Sequence, residues 1–231
     1  MRQRLSHELL DDDAGTPAEI RQSLDELWWI NQHLGGLSSW RTLLARCLEG
    51  AKLPPGPLRV LDIGSGTGQV AAANAAWLGE RGFAVTAVTL DRRPSHLERR
   101  NARGAVAADA FQLPFADRSF DLVTCNLFLH HFHDQGADDA ATRLLREMAR
   151  VAARAVLIND LERAWPPYLA ILALGRRFSR ITRHDGPASV RQAYTCDELE
   201  ALARAAGAAA VEVLRLPRYR LGLIWNIAAI G

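Results

Sequence analysis

From residue 58 onward, short apolar runs alternate with segments of helical pattern, and the first run ends in a cluster of glycines. The runs cover 58–63, 83–90, 105–108, 120–127 and 155–161, with helical segments near 68–81, 94–102 and 139–153. Strands buried on both faces read as continuous apolar runs, and helices threaded between them imply parallel pairing. The expected fold is therefore α/β: a doubly wound, mostly parallel sheet. A helical bundle or an all-β sandwich would not produce this alternation.

The segments before and after this region are mainly helical. Thr16-Pro17-Ala18-Glu19 combines a capping box with proline at the first helical position. Ile20, Leu24, Leu27, Trp28, Asn31 and Leu34 follow at helical spacing, apolar except for Asn31. Gly35-Gly36 stop that helix, and a second runs from about 39 to 49 before the proline-rich stretch at 54–57. Ser95-x-x-Glu98 is another capping box. A stretch at 165–180 reads as helix interrupted at Pro166-Pro167. Thr195 caps a further helix that Gly207 ends, and two last strands at about 209–216 and 219–230 predict an antiparallel hairpin at the sheet edge. The expected organisation is a helical cap segment at 1–57, then one domain at 58–231 carrying a helical insertion at about 162–194.

Composition narrows the function. With 231 residues, 48% hydrophobic and 23% charged, the chain has the make-up of a folded globular domain. A net charge of +2 gives no reason to expect a nucleic-acid partner. Arg176, Arg177, Arg180 and Arg183 form a local basic cluster, either a solvated helix face or a rim for anionic ligands. Three cysteines, Cys47, Cys125 and Cys196, form no disulfide frame or Cys-x-x-Cys pair. No apolar stretch reaches the ~20 residues a membrane span needs, and no secretory signal is seen, so a cytoplasmic protein is expected.

The chemistry is concentrated where apolar runs end. Asp62-Ile63-Gly64-Ser65-Gly66-Thr67-Gly68 joins the first strand to the first helix, and glycines there let backbone turn tightly beside a ligand. Asp91 ends the second strand, about twenty residues on, where an acid can accept bonds from ribose hydroxyls. Asp109 follows the third. Gly66-Thr67-Gly68-Gln69-Val70-Ala71 formally fits a dinucleotide fingerprint, but that register starts two residues late. An acid just before the loop suits an amino group better than a pyrophosphate. Ser65 lacks the flanking glycines of a nucleophile elbow, and no P-loop lysine is present.

Asp62-Ile-Gly-Ser-Gly-Thr-Gly68, Leu90-Asp91, Asp109-Ala110 with Leu113-Pro114-Phe115, and Ser119-Phe120-Asp121-Leu122-Val123 resemble the successive motifs of class I S-adenosylmethionine-dependent methyltransferases. The branch resembled is that of quinone-biosynthesis methyltransferases, over roughly 58–161. The Gly35-Gly36…Trp40 segment, Arg183-His184-Asp185-Gly186-Pro187 and Tyr194-Thr195 resemble small bacterial methyltransferases found near type III polyketide synthases. The resemblance implies a Rossmann-like, seven-stranded sheet with its last strand antiparallel, and S-adenosyl-L-methionine as cofactor with S-adenosyl-L-homocysteine as product. Gly64, Ser65 and Gly66 would pass under the methionine part and Asp62 would lie near its ammonium. Asp91 would bind the ribose, Arg92 would lie against the adenine, and Asp109 and Ala110 would meet its amino edge. Asn126 and Leu127 would line the sulfonium side.

A phenol or enol acceptor must also lose a proton. His130, His131, His133 and His184 are the candidate bases; His131 is favoured, with His184 beside Asp185 as the second candidate. The histidine spacing fits no common zinc signature, so no metal is expected. Trp40 and Arg41 are expected in the pocket, near the cofactor's carboxylate end. The expected reaction is O-methylation of a phenolic, polyketide or lipid-like hydroxyl. The alternatives are C-methylation of a quinol ring, a non-catalytic cofactor-fold binding module, and an NAD-dependent oxidoreductase. A small-molecule acceptor, no nucleic acid and no integral membrane segment are expected, with a monomer or homodimer as the working unit.

Overall fold

Seven strands form one sheet: β1 (Leu58–Ile63), β2 (Val85–Asp91), β3 (Ala105–Ala107), β4 (Phe120–Asn126), β5 (Ala152–Leu161), β6 (Ala210–Leu216) and β7 (Arg220–Asn226). The computed structural model describes residues 1–50, 56–97, 104–135 and 138–227. The spatial order is β3-β2-β1-β4-β5-β7-β6. Pairings from β3 to β5 are parallel, while β7 runs antiparallel to both β5 and β6. The expected C-terminal hairpin is present, with β6 at the edge. The remainder of the helix expected near 94–102, including Glu98 of its capping box, and the last residues of the final strand lie outside the described residues.

Alternation along the strands sends side chains to two separate cores, because successive residues of a strand face opposite sides. Leu61, Ile63, Val123 and Cys125 pack on one face with α5 (Ala140–Val151) and α8 (Cys196–Ala206). Leu58, Leu122 and Leu157 pack on the other with α2 (Gly36–Leu48) and α3 (Gln69–Gly79). The sheet is thus wound on both faces.

The N-terminal helix α1 (Pro17–His33) starts where the capping box predicts: Glu19 donates its amide to the Thr16 hydroxyl at 3.3 Å, and Thr16 donates back to the Glu19 carboxylate at 2.9 Å. The short helix α4 (Pro94–Leu97) follows β2. In the insertion, Pro166 and Pro167 begin a helix instead of interrupting one, since proline's missing N–H costs nothing in a first turn. That helix is α6 (Trp165–Leu174). The Arg183–Pro187 segment is the middle of α7 (Arg180–Gln192), which packs on α1 and α6. Ser179 caps it, and Pro187 sits within it.

Beneath α2 the packing is tight. A Cβ added at Gly222 on β7 would lie 2.4 Å from Leu43 Cδ2 and 2.8 Å from Leu216 Cδ1, both in the buried core. We predict that Gly222→Ala destabilises the fold by about 1–3 kcal/mol through overpacking. Urea unfolding checks it; an unchanged midpoint would show that α2 shifts freely.

Candidate functional site

The sheet order reverses between β1 and β4, and the glycine loop lies at that point, on the carboxyl ends of the strands. This is where an open α/β sheet leaves a crevice. Gly64, Gly66 and Gly68 all adopt left-handed backbone, with φ of +63°, +53° and +71°. At Gly64 the lack of a Cβ is obligatory: one would sit 2.4 Å from the Phe128 ring. Ser65 donates its amide to Leu90 carbonyl at 3.0 Å, tying the loop to β2, while its hydroxyl is buried without a partner.

Asp91 organises the loop. One carboxylate oxygen accepts the Gly66 amide at 2.9 Å and the other accepts the Arg93 amide at 2.9 Å. Burial alone would raise its pKa, but His96 and these amides outweigh that and hold it below the usual carboxylate value. His96 bridges Asp91 at 3.5 Å and Asp13 at 3.0 Å. A pyrophosphate over this loop would meet an ionised acid and an amide already committed to it.

Asp109 accepts the Phe111 amide at 2.9 Å and faces the same cavity beside Ala110. Asp62 does not line the cavity. It is buried behind the loop and accepts the Thr124 hydroxyl at 2.7 Å. Burial pushes its carboxyl up to about 7, with Asp91 adding repulsion and the Thr124 bond opposing.

Asn126 ends β4 at the centre of a polar relay. Its carbonyl oxygen accepts from Trp40 Nε1 at 2.9 Å and Asn159 Nδ2 at 3.1 Å, and its amide donates to Asn31 at 3.2 Å. Leu127 follows in left-handed backbone, φ +51°, pinned by its amide to Asn159 carbonyl at 3.0 Å. Such strain in a non-glycine residue persists where surrounding bonds fix it.

The relay corrects the pocket assignment. Trp40 is fully buried in the core under α2, reaching the site only through its bond to Asn126, and Arg41 is exposed on the opposite side of that helix. Neither lines the cavity. Adjacent residues of a helix point about 100° apart, so a buried Trp40 turns Arg41 outward.

The histidines divide. His131 lines the cavity, with Nδ1 2.8 Å from the Asp11 carboxylate. Burial would raise the Asp11 carboxyl, but His131 outweighs it and holds the group below its ordinary value. His130 is buried between Asp160, 2.6 Å from Nδ1, and Glu8, 3.6 Å from Nε2. Desolvation opposes its charge, yet the two carboxylates push its pKa up to about 10. Glu8, His130 and His131 bring ligating atoms within 4.8 Å of one another. Carboxylates also sit against both imidazoles, the arrangement of an ion-pair network. His184 is half exposed outside the cavity wall, 2.8 Å from Asp185. Asp185 in turn accepts the Leu9 and Leu10 amides at 2.8 and 3.0 Å. The pair anchors the N-terminal arm.

That arm supplies functional residues the sequence reading missed. Residues 1–13 cross α7 and bring Glu8, Leu10 and Asp11 into the cavity wall. The only signal was a group of acids without apolar periodicity, which any solvated terminus also shows.

The cavity holds about 720 Å³, within the roughly 300–1,000 Å³ range of small-molecule sites. The glycine loop, Asp91, Arg92 and Asp109 form one end. Leu24, Leu27 and Trp28 of α1, with Pro167, Ala170 and Ile171 of α6, give it an apolar roof. The Ser65 hydroxyl, without a partner among the described residues, and the acids at two strand ends fit a nucleoside joined to an amino acid.

Comparison with known proteins bears on this geometry. The family described as a methyltransferase domain matches residues 61–157. A demethylmenaquinone methyltransferase of Roseiflexus sp. (strain RS-1) is 39% identical over 116 residues, covering 49% of this chain and 46% of that protein. A 27-O-demethylrifamycin SV methyltransferase of Amycolatopsis mediterranei (strain S699) is 33% identical over 162 residues, covering 59% and 58%. The chain therefore spans about half the length of these curated relatives. The plantazolicin methyltransferase BpumL in complex with SAH superposes with a TM-score of 0.70 at 14% identity, over 96% of this chain and 94% of that one. Residues 61–157 and the sheet around them are a class I S-adenosylmethionine-dependent methyltransferase domain, with S-adenosylmethionine as its cofactor.

Proposed function

We propose that this chain methylates a hydroxyl of a small phenolic, polyketide-derived or lipid-like acceptor. One observation carries the reading: a cavity joins the acid-lined glycine loop to an apolar helical roof, with His131 in its wall. When bound, the cofactor supplies an activated sulfonium methyl. Asp91 holds the ribose hydroxyls with the lone pairs its two amide partners leave, and Asp109 takes the adenine amino group beside Ala110. Arg92 covers the adenine, and Gly64, Ser65 and Gly66 run under the methionine part. Asn126 and Leu127 fix the wall on the sulfonium side. Asp62 stands behind the loop as counter-charge to the ammonium.

His131 takes the acceptor's proton. A phenol has a pKa of ~10, so a base within hydrogen-bond reach contributes roughly 10²–10⁴-fold. Asp11 orients the ring through Nδ1 and stabilises the imidazolium that forms, as a carboxylate does for a catalytic histidine. The apolar roof of α1 and α6 excludes water while the acceptor is held in line. His184, outside the cavity wall, has the part of an arm anchor in this scheme. A second reading, C-methylation of a quinol ring, is favoured by the similarity to the demethylmenaquinone methyltransferase. Incubation with labelled cofactor and a panel of phenols and quinols decides between them by where the label resides; label on neither class would sink both.

We predict that His131→Asn lowers kcat by about 10²–10⁴-fold with little change in the cofactor's Kd, while Asp11→Asn loses less and His184→Ala stays near wild type. Steady-state kinetics across pH checks this; wild-type turnover in His131→Asn would leave positioning alone as the source of rate.

A second prediction concerns Asp62. An unfolded aspartate ionises near 3.8, whereas the folded carboxyl holds its proton up to about 7. Between those values the folded state carries the extra proton, so this group's contribution falls as pH rises. Asp62→Asn is expected to raise the melting temperature of the cofactor-free protein at pH 8, by a difference that shrinks towards pH 4. It is also expected to reduce the stabilisation added by S-adenosylhomocysteine. Equal ligand shifts in the two proteins would remove Asp62 from the ammonium's neighbourhood.

A further inference from the structure

Arg220, the first residue of β7, is 1% exposed, and it lines the cavity. Its Nη1 is buried with no hydrogen-bond partner among the described residues. The nearby acid Asp160 does not supply one. One Asp160 oxygen takes His130 Nδ1 at 2.6 Å and the Leu161 amide at 2.7 Å; the other takes the His130 amide at 3.1 Å. Burial pushes the guanidinium down to about 10, opposed by the charge of Asp160, so it remains a cation at neutral pH. A buried guanidinium nitrogen left without a partner is costly, and the planar fork of donors matches a carboxylate.

Its place in the sheet tells which ligand it faces. β7 pairs with β5 through Arg220 and Leu161, and β5 pairs with β4, which pairs with β1. Three strand spacings, about 14 Å, separate it from the glycine loop. Arg220 therefore belongs to the acceptor half of the cavity.

We propose that Arg220 forms an anion subsite that binds a carboxylate, or an equivalent delocalised oxyanion, on the methyl acceptor. Only the identification of the ligand as acceptor rests on the proposed function; the subsite stands on the buried cation itself. The acceptor is then an amphiphile: an apolar body under α1 and α6, and an acidic group reaching β7.

The test is calorimetric titration of the full chain, loaded with S-adenosylhomocysteine, using 4-hydroxybenzoate and its methyl ester. The wild-type protein should bind the acid at least about tenfold tighter than the ester, since bidentate charge-assisted bonds are the strong kind. Arg220→Met should abolish that preference, leave the ester and S-adenosylhomocysteine within about twofold, and not lower the ligand-free melting temperature, because an unpaired buried charge is removed. Arg220→Lys should keep part of the preference. Equal binding of acid and ester by the wild-type protein would overturn the proposal, as would a preference that survives in Arg220→Met. Loss of S-adenosylhomocysteine affinity in place of acid affinity would assign the cation to the cofactor's own carboxylate. A large drop in melting temperature for Arg220→Met, with acid and ester bound equally by the wild-type protein, would assign it to the fold. Methyl transfer assayed on both compounds separates the two readings: Arg220-dependent binding without transfer removes the proposed reaction and leaves the subsite, while equal transfer to both leaves the reaction and removes the subsite.

Discussion

The bond from the Gly66 amide to the Asp91 carboxylate ties the first two strand ends together, and the cofactor end is built around it. A loop of three left-handed glycines has little side-chain packing to hold it, so its conformation depends on backbone partners. Asp91 supplies one and the Leu90 carbonyl another. The same bond sets ligand chemistry. It places a fixed negative charge where a dinucleotide fold presents free amides to phosphate, and it leaves acceptor lone pairs for hydroxyls. An oxidoreductase reading of the glycine register fails on this point of electrostatics, because the amide and the acid are satisfied by each other.

How much of this could be read from residues follows from the range of the interactions involved. β1, the glycine loop, Asp91 and Asp109 were legible because each depends on local pattern: an apolar run, a turn that only glycine permits, an acid at a strand's end. The capping boxes at Thr16 and Thr195 were legible for the same reason, with all their bonds inside four residues. Trp40 was not. Helical spacing marked it as apolar-facing, but only the sheet packed beneath α2 shows that the indole is core and that Asn126 takes its N–H. Pro187 runs against local pattern: α7 continues through Gly186-Pro187, packed by α1 and α6.

The arm is the extreme case. Glu8, Asp11 and Asp13 have no periodicity, and each meets its partner far along the chain: His130, His131 and His96. Nothing local distinguishes an acid that closes a cavity from one that solvates a terminus. What the sequence did show was the other half of two of these pairs, the histidines after β4, where strand ends converge. Buried imidazoles near such a crevice call for counter-charges, and the chain provides them from its far end.

Those counter-charges explain why one cation in the acceptor half stands apart. His130 is enclosed by Asp160 and Glu8, and Glu8 also accepts from Ser189 at 2.8 Å and Gln192 at 2.7 Å. His131 is matched by Asp11. Arg163, also buried, finds Glu198 and the Ala193 carbonyl. Each of these side chains has an acid or carbonyl set against it, as burial of a polar group demands. Arg220 is buried more deeply and, among the described residues, has no hydrogen bond at Nη1, while both oxygens of Asp160 are engaged by His130 and Leu161. His130 Nε2 also lacks a hydrogen bond but has the Glu8 carboxylate 3.6 Å away; Arg220 lines the cavity, where an entering oxyanion supplies the missing partner.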